Sequence, residues 1–363
     1  MLDVTLRDLS FSYGSGFSLN GITHPFAGST HTALVGPPAC GASTLLALIA
    51  GTLRPRSGDV ILGQRRVNDV NPARRPLLYC TSRPDFPLRW SVRHALVAAV
   101  RSRKLDRQDR HHEYDLATEK WELGSLLERR AATLSTTELA RLRCARIELL
   151  RPAVLLADRF LEGVNATIHG NLADQFHRTL RVHGTTVITA PAAREELATT
   201  DVLVVLHDGR IVQSGPAAGL FAHPADEAAA VATGDADAIP ITIRGTSVES
   251  VIGSWQVEVP PFQGDGIALV RPSDFAPARK GEESDVIFGV EEAGFSGGRW
   301  MARGVLSGGV TLRVELPSGL DVHKGRLLAL RYDPARFTLL ARAREPLQTS
   351  VPTDVVPPMR ETR

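Results

Sequence analysis

The stretch that decides the fold is HTALVGPPACGASTLLALIAG, residues 31–51. Its first part, TALV, is a short apolar run typical of a buried strand, and TLLALIAG has the apolar spacing of a helix. Between strand and helix lies GPPACGAST, in which Gly36 and Gly41 keep the G-x-x-x-x-G spacing. A glycine-rich turn that follows a strand and opens a helix is the context required of a phosphate-binding loop.

The residue types in this loop support part of that chemistry. Backbone N–H groups at a helix N-terminus attract anions, and the hydroxyls of Ser43 and Thr44 are suited to Mg²⁺. Ala42 stands where such loops carry a lysine, so the loop lacks its main cation. From the loop alone, a glycine-rich turn without a ligand remains an equal alternative. The candidate phosphate-binding residues are Gly36, Pro37, Pro38, Ala39, Cys40, Gly41, Ala42, Ser43 and Thr44.

Length and composition narrow the class of protein. The chain has 363 residues, which suggests two domains, and its 42 basic and 40 acidic residues give a charge of +2. This near-neutral balance argues against a dedicated nucleic-acid binder. The three cysteines are too few for a disulfide framework and indicate a reduced, cytoplasmic protein. The sequence shows no signal peptide and no apolar run near the roughly 18 residues of a membrane span.

The order of segments predicts an α/β domain over residues 1–225, followed by an all-β domain over residues 239–345. In the first part, apolar runs at 31–36, 153–158, 185–190 and 201–206 alternate with helical patterns, which favours a parallel sheet. A charged, helix-prone stretch at about 90–132 is interpreted as a helical insertion. In the second part, short alternating runs separated by Gly and Pro predict a barrel or a sandwich. The polar tail, 346–363, is expected to be disordered.

Longer segments carry a family resemblance. They are FSYG (11–14), LIAGTLRPRSGDVILGQRRVNDVNPARR (48–75), TLSTTELARLRCARIELLRPAVLLADRF (133–160) and VLHDGRIVQSGPAAGLF (205–221). In this order they resemble the ATP-binding subunit of ABC transporters, of the importer type with a C-terminal TOBE-like (OB-type) β-domain. The resemblance implies a P-loop nucleotide-binding domain with a helical subdomain, ATP or ADP and Mg²⁺ as ligands, and membrane permease subunits as partners. It places Tyr13 against adenine, and Asp158 together with Ser43 at the Mg²⁺ ion.

Several positions depart from the family pattern. The signature segment, Ser135-Thr136-Thr137-Glu138, has threonines where the family has glycines that approach the partner's nucleotide. Arg159 occupies the place of the glutamate that activates water, and an arginine cannot act as a base. Thr81 aligns with the family's glutamine, Ala190 with its switch histidine and Asn165 with an aspartate. Together with Ala42, these departures imply that hydrolysis is lost and that nucleotide binding is weakened.

Three hypotheses for function follow. The first is a catalytically degenerate importer subunit on the inner face of the membrane, docked on a permease and paired with an active homologue or with itself. The second is a regulatory or interaction protein that has left transport, and the third is a working ATPase with unconventional residues. For the first, Phe86, Pro87, Leu88 and Trp90 offer an apolar floor for a permease segment, with burial inside the domain as the alternative.

Two other clusters are interpreted as structural. His111 and His112, with Glu113 and Asp115, lie in a charged helical stretch where adjacent positions do not share a face, so a solvated surface is favoured over a metal site. The basic residues around the signature helix are expected to stabilise the fold rather than to bind nucleic acid. They are Arg129, Arg130, Arg141, Arg143, Arg146 and Arg151.

Overall fold

The computed structural model describes residues 1–14, 16–234, 236–279, 282–296, 299–306, 308–317, 319–320 and 322–341. The chain divides into two compact units, Met1–Ala236 and Asp237–Arg363. The tail at 346–363, which the sequence predicts to be disordered, lies outside the described residues.

The first unit combines ten strands with seven helices among its described residues. The strands are β1 (Val4–Ser12), β2 (Ser18–Phe26), β3 (His31–Val35), β4 (Ser57–Leu62), β5 (Arg65–Arg66), β6 (Leu78–Cys80), β7 (Val154–Asp158), β8 (Thr186–Ala190), β9 (Val202–His207) and β10 (Arg210–Gly215). The helices are α1 (Ala42–Ala50), α2 (Val92–Arg101), α3 (Arg107–Lys120), α4 (Thr136–Leu150), α5 (Ala166–Val182), α6 (Ala217–Ala222) and α7 (Glu227–Thr233). Across the described residues, every helix is too short or too polar to cross a membrane.

The central sheet of this unit has the strand order β10-β9-β3-β8-β7-β6. Five of its strands are parallel, and β10 adds an antiparallel edge to β9. Strands β3 and β8 are buried along their whole length, which explains why their sequences are continuous apolar runs rather than alternating ones. The predicted parallel α/β arrangement is confirmed. Its parallel strands all end at one edge of the sheet, where ligands of such folds bind.

A second, antiparallel sheet with the order β2-β1-β4-β5 was not expected from the alternation of strands and helices. Its apolar side chains, such as Leu6 and Leu19, share one core with Leu45 and Leu48 of α1. Helix α1 is therefore buried on nearly all sides between the two sheets, and this burial fixes the loop that precedes it.

The predicted helical insertion forms α2 and α3, which pack with α4 and α5 around a separate core. Side chains such as Leu96, Trp121 and Leu142 are buried there. The side chains of Ser91 and Asp106 cap the starts of α2 and α3 by accepting backbone N–H groups of His94 and Asp109. These caps explain where the two helices begin, including α3, whose sequence is mostly polar.

The second unit is all-β in its described residues, as predicted. Its strands are β11 (Asp237–Arg244), β12 (Ser247–Ser250), β13 (Gly253–Gln256), β14 (Gly264–Val270), β15 (Phe275–Pro277), β16 (Val286–Ser296), β17 (Arg299–Leu306), β18 (Thr311–Leu316), β19 (Leu327–Tyr332) and β20 (Thr338–Ala341). They form two antiparallel sheets, β13-β12-β11-β14-β20 and β15-β19-β16-β17-β18. Both sheets contribute alternate side chains, including Ile241 and Phe288, to one apolar core.

Candidate functional site

The two loop glycines are required by close contacts. A Cβ atom on Gly36 would lie 2.1 Å from the carbonyl oxygen of Leu206, and one on Gly41 would lie 2.4 Å from the Phe17 ring. Gly41 also has a φ of 102°, in the left-handed region that favours glycine. Between them, the Cys40 amide donates to the Pro37 carbonyl at 3.0 Å and closes a tight turn. Burial raises the pKa of the Cys40 thiol, so the thiol stays protonated and uncharged.

The loop opens a cavity at the start of α1. The cavity has a volume of about 320 Å³, and it is lined by Tyr13, Phe17 and residues 39–44. Helix N-termini carry unpaired N–H groups and a partial positive charge, so this cavity favours an anion. The Ala42 side chain is half-buried against the core and contributes no charge.

A pair of oxygen ligands lies beside the loop. The Ser43 hydroxyl donates to Asp158 Oδ1 at 2.8 Å, and the Tyr79 hydroxyl donates to Asp158 Oδ2 at 3.3 Å. Burial, together with the Asp158 carboxylate, raises the pKa of Tyr79 to about 12 and keeps it a donor. A hydroxyl and a carboxylate at hydrogen-bonding distance are hard oxygen ligands of the kind Mg²⁺ accepts, with water completing its shell. The predicted metal ligands, Ser43 and Asp158, thus lie together and fit this ion.

Tyr79 is a site residue that sequence reasoning missed. It occupies the middle of β6, and β7 pairs with it in register at Leu156. Its position near the carboxyl end of a strand, beside the strand of Asp158, is the signal that could have found it.

Tyr13 is exposed enough to receive a planar ligand. Its side chain is 60% exposed, packs edge-on against Phe11 at 4.7 Å, and places its hydroxyl 3.5 Å from Thr44 Oγ1. These contacts bring the ring to the mouth of the phosphate-binding loop. Stacking of adenine on this ring stays a prediction.

Arg159 and Ala190 lie side by side at the carboxyl edge of the sheet. The Arg159 amide donates to the Ala190 carbonyl at 2.8 Å, and Arg159 has a left-handed φ of 49°. Its guanidinium forms an ion pair with Glu162 and its side chain is 58% exposed. Ala190 is buried and offers only a methyl group. Both positions are therefore next to Asp158, and neither carries a group that could accept a proton from water.

The segment around Thr81 is held by a buried arginine. The Arg143 guanidinium donates to the carbonyl oxygens of Thr81, Ser82 (3.2 Å), Arg83 (3.2 Å) and Phe160 (3.0 Å), and it stacks on the Phe160 ring at 4.2 Å. It therefore joins the chain after β6 to the chain after β7. The Thr81 hydroxyl accepts from the Arg83 amide at 3.2 Å and so turns back on its own segment. Sequence reasoning named Arg143 as a fold-stabilising residue without this connection.

The signature segment forms the start of α4. The Ser135 hydroxyl accepts the Glu138 amide at 3.3 Å, and the Glu138 carboxylate accepts the Ser135 amide at 2.8 Å, which is a capping box. These hydrogen bonds lower the pKa of Glu138. The Thr136 methyl lies 3.5 Å from the position of a Cβ on Gly163. In the described part of the chain, the hydrogen bonds between Ser135 and Glu138 stay within the first turn of α4.

The loop after β8 rests on a buried carboxyl group. Glu196 accepts the backbone N–H groups of Ala192 at 2.9 Å and Ala193 at 3.3 Å. His169 Nε2 lies 3.4 Å from Glu196 Oε1, and both side chains are buried. Burial raises the pKa of Glu196 to about 7. We therefore regard the contact with His169 as packing of two polar groups rather than a strong ion pair.

The other candidate clusters lie away from the loop. His111 is exposed and lies 3.4 Å from Asp115, and the described residues contain no group of three or more His, Cys, Asp or Glu side chains placed to bind a metal. The signature-helix arginines are engaged within the first unit: Arg141 pairs with Glu122, Arg146 with Asp85 at 3.0 Å and Arg151 with Glu113 at 2.9 Å. The side chain of Asn165 accepts the Thr167 amide and caps α5.

The proposed apolar floor is divided between core and surface. Phe86 is buried beneath the Arg146 guanidinium at 4.4 Å, whereas Leu88 is 42% exposed. Trp90 is half-buried and packs on His94 at 4.5 Å. Cys80 and Cys144 are buried in the core shared by α2–α5.

Comparison with known proteins agrees with the fold and the loop. Residues 19–161 match the family model described as ABC transporter. The sn-glycerol-3-phosphate import ATP-binding protein UgpC 3 of Agrobacterium fabrum is 26% identical over 94% of this chain and 99% of its own length. The UgpC protein of Cereibacter sphaeroides is 26% identical over 93% of this chain and 97% of its own length.

Solved structures match about three fifths of the chain. The chain of cbiO1 from Clostridium perfringens, part of the ABC transporter complex cbiONQ, superposes with a TM-score of 0.53 at 22% identity, over 60% of this chain and 90% of that one. A nucleotide-free ATP-binding cassette from an ABC transporter superposes with a TM-score of 0.51 at 19% identity, over 60% and 92% of the two chains. At these identities the superpositions show the fold. The phosphate-binding loop agrees with this fold: residues 19–161 form an ABC transporter domain, and nearly the whole chain is similar to import ATP-binding proteins.

Proposed function

We propose that this chain is the ATP-binding subunit of an importer and that it docks on a membrane permease at the inner face of the membrane. Relatives whose names describe import ATP-binding proteins align over nearly the whole chain, including the all-β unit. We assign this chain no cargo, because in importers of this type the residues that select a cargo belong to other subunits.

The site supports binding of ATP or ADP. The loop amides would receive the phosphates, Tyr13 would stack on the base, and Ser43 with Asp158 would hold Mg²⁺, which neutralises charge on the phosphates when bound. Ala42 withholds the usual lysine from the phosphates. We therefore expect weaker binding than in a loop with an intact lysine.

We further propose that the subunit is a pseudo-ATPase, and one observation carries this proposal. The residue directly after Asp158 is Arg159, whose guanidinium stays protonated and is bound to Glu162. Loss of a general base typically slows a reaction by ~10²–10⁴-fold. Thr81 and Ala190, at neighbouring strand ends, offer neither a long amide nor an imidazole in compensation.

We also propose that the chain pairs with an active homologue. In this family the loop of one subunit faces the signature segment of the other. A homodimer would combine Ala42 and Arg159 with Thr136 and Thr137 in both shared sites. With an intact partner, one site would join the partner's loop to Ser135–Thr137, and turnover there could drive transport while this chain supplies docking.

Capture experiments test the importer assignment. The tagged full chain is expressed in its own host, membranes are solubilised, and permease and ABC ATPase chains are identified among the proteins that co-purify. We expect both partners to co-purify. Leu88→Glu, on the exposed part of the apolar floor, should reduce capture. Val182→Glu should not, because Val182 is 84% exposed at the end of α5, outside that floor. Purification of the chain without either partner would refute the importer role and favour a regulatory protein.

A further inference from the structure

Arg159 has a second consequence beyond the loss of a base. We propose that Arg159 supplies the phosphate-binding cation that Ala42 does not, and that it binds the γ-phosphate of ATP. This inference rests on the proposed nucleotide site. It makes the substitution at 159 a gain of a ligand-binding group as well as a loss of catalysis.

The position of Arg159 follows from its neighbours. Asp158 Oδ1 lies 2.8 Å from Ser43 Oγ, so the chain at 158 touches the first turn of α1. The Arg159 amide is fixed to the Ala190 carbonyl at 2.8 Å, which holds the backbone of this residue at the same edge. Ser43 and Asp158 would hold the Mg²⁺ of bound Mg-ATP, and that ion would neutralise charge on the terminal phosphates. A long side chain on the next residue therefore starts close to the γ-phosphate.

The strand ends show why Arg159 is the cation available. The five parallel strands of the sheet are followed directly by one residue each at the carboxyl edge. Those residues are Gly36, Thr81, Arg159, Pro191 and Asp208. Arg159 is the basic member of this set, and the cavity lining at residues 13, 17 and 39–44 contributes no basic side chain. A bound triphosphate carries several negative charges beside Asp158, so a cation here lowers its energy.

The guanidinium is free to change partners. Arg159 and Glu162 are 58% and 42% exposed, and exposed ion pairs contribute little net stability. A terminal phosphate offers more negative charge than one carboxylate, and it presents oxygens that match the planar fork of arginine. We therefore expect the phosphate to displace Glu162 from Arg159.

Isothermal titration calorimetry of the full-length protein with Mg-ATP and Mg-ADP tests this. The wild type should bind ATP more tightly than ADP. Arg159→Ala should weaken ATP binding on the order of 10- to 100-fold, as expected for a lost charged hydrogen bond, and should weaken ADP binding far less. Arg159→Lys should retain part of the preference. Arg178→Ala, which removes an exposed Arg–Asp pair on α5, is the matched control and should bind both nucleotides as the wild type does.

A second variant should change affinity in the opposite direction. Glu162→Gln frees the guanidinium, so it should tighten ATP binding by up to about fivefold. A merely structural role for Arg159 predicts no such gain. Thermal unfolding of each variant is the control that tests whether the protein remains folded.

Three results would overturn the inference. They are equal ATP affinity of the wild type and Arg159→Ala, an equal loss for ATP and ADP, or no nucleotide binding by the wild type. None of these results bears on capture of the permease, so failure here and failure of the importer role can be told apart.

Discussion

At the scale of single residues, Ala39 adopts a left-handed backbone conformation inside the phosphate-binding loop. Its φ is 65°, and its side chain is exposed. This conformation costs an L-residue about 1–2 kcal/mol, which glycine does not incur. The loop therefore keeps its phosphate-cradling shape with an alanine at a position that favours glycine. The G-x-x-x-x-G spacing predicted the loop. It did not predict the left-handed conformation of Ala39, because an alanine does not favour that conformation.

Ala39→Gly should raise the free energy of unfolding of the first unit by about 0.5–1 kcal/mol. Relief of the left-handed strain outweighs the extra chain entropy that glycine brings to the unfolded state. Ala47→Gly is the control, because it lies inside α1 and should destabilise by about 1 kcal/mol. Urea unfolding of both variants measures the difference, and destabilisation by Ala39→Gly would contradict this reading of the loop.

At the scale of elements, Arg143 of α4 connects two functional segments that the sequence separates. The helix was predictable from its apolar spacing, and the strands β3, β7 and β8 from their continuous apolar runs. The inward direction of the Arg143 side chain was not predictable, because a charged residue in a helical pattern is normally assigned to the surface. The antiparallel sheet of β1, β2, β4 and β5 was also missed, because the pairing that joins its two hairpins, β1 with β4, connects distant segments.

Arg143→Ala should destabilise the first unit by about 3 kcal/mol or more. The substitution leaves the buried carbonyl oxygen of Phe160 and the partly buried one of Thr81 without their Arg143 donor. Arg141→Ala, two residues earlier on the same helix, removes a largely exposed pair with Glu122 and should cost at most about 1 kcal/mol. Denaturant unfolding distinguishes the two, and equal losses would show that the Arg143 hydrogen bonds do not hold these segments together.

Glu196 gives the loop after β8 a dependence on pH. Burial raises its pKa from an ordinary 4.5 to about 7, so the native protein keeps this proton to a higher pH than the unfolded chain does. The contribution of Glu196 to stability is therefore full below its unfolded pKa and falls as pH rises to about 7.

Glu196→Gln should flatten that part of the pH profile, whereas Glu195→Gln should change the slope far less, because the exposed Glu195 charge contributes least to the raised pKa of Glu196. The check is urea unfolding between about pH 5 and pH 8. A wild-type slope that survives in Glu196→Gln would assign the pH dependence to another group.

At the scale of the whole molecule, the two units differ in fold and in what they contribute to the proposed function. The first carries the nucleotide loop, and the second is the all-β unit that the full-length relatives also span. Sequence reasoning predicted both, because segment order and alternation survive at low identity. It also named the departures at Ala42, Thr81, Arg159 and Ala190. The hydrogen bonds of Tyr79 to Asp158 and of Arg143 to the segments after β6 and β7 were not predictable, because they join segments that are distant in the sequence.

We propose that this chain keeps a nucleotide-binding loop and does not turn ATP over. The most direct test is phosphate release by the purified full-length protein with ATP across a range of Mg²⁺ concentrations, beside Asp158→Asn. We predict background rates at every concentration, with the wild type and Asp158→Asn indistinguishable. Saturable ATP turnover that Asp158→Asn abolishes would contradict the claim and establish a working ATPase.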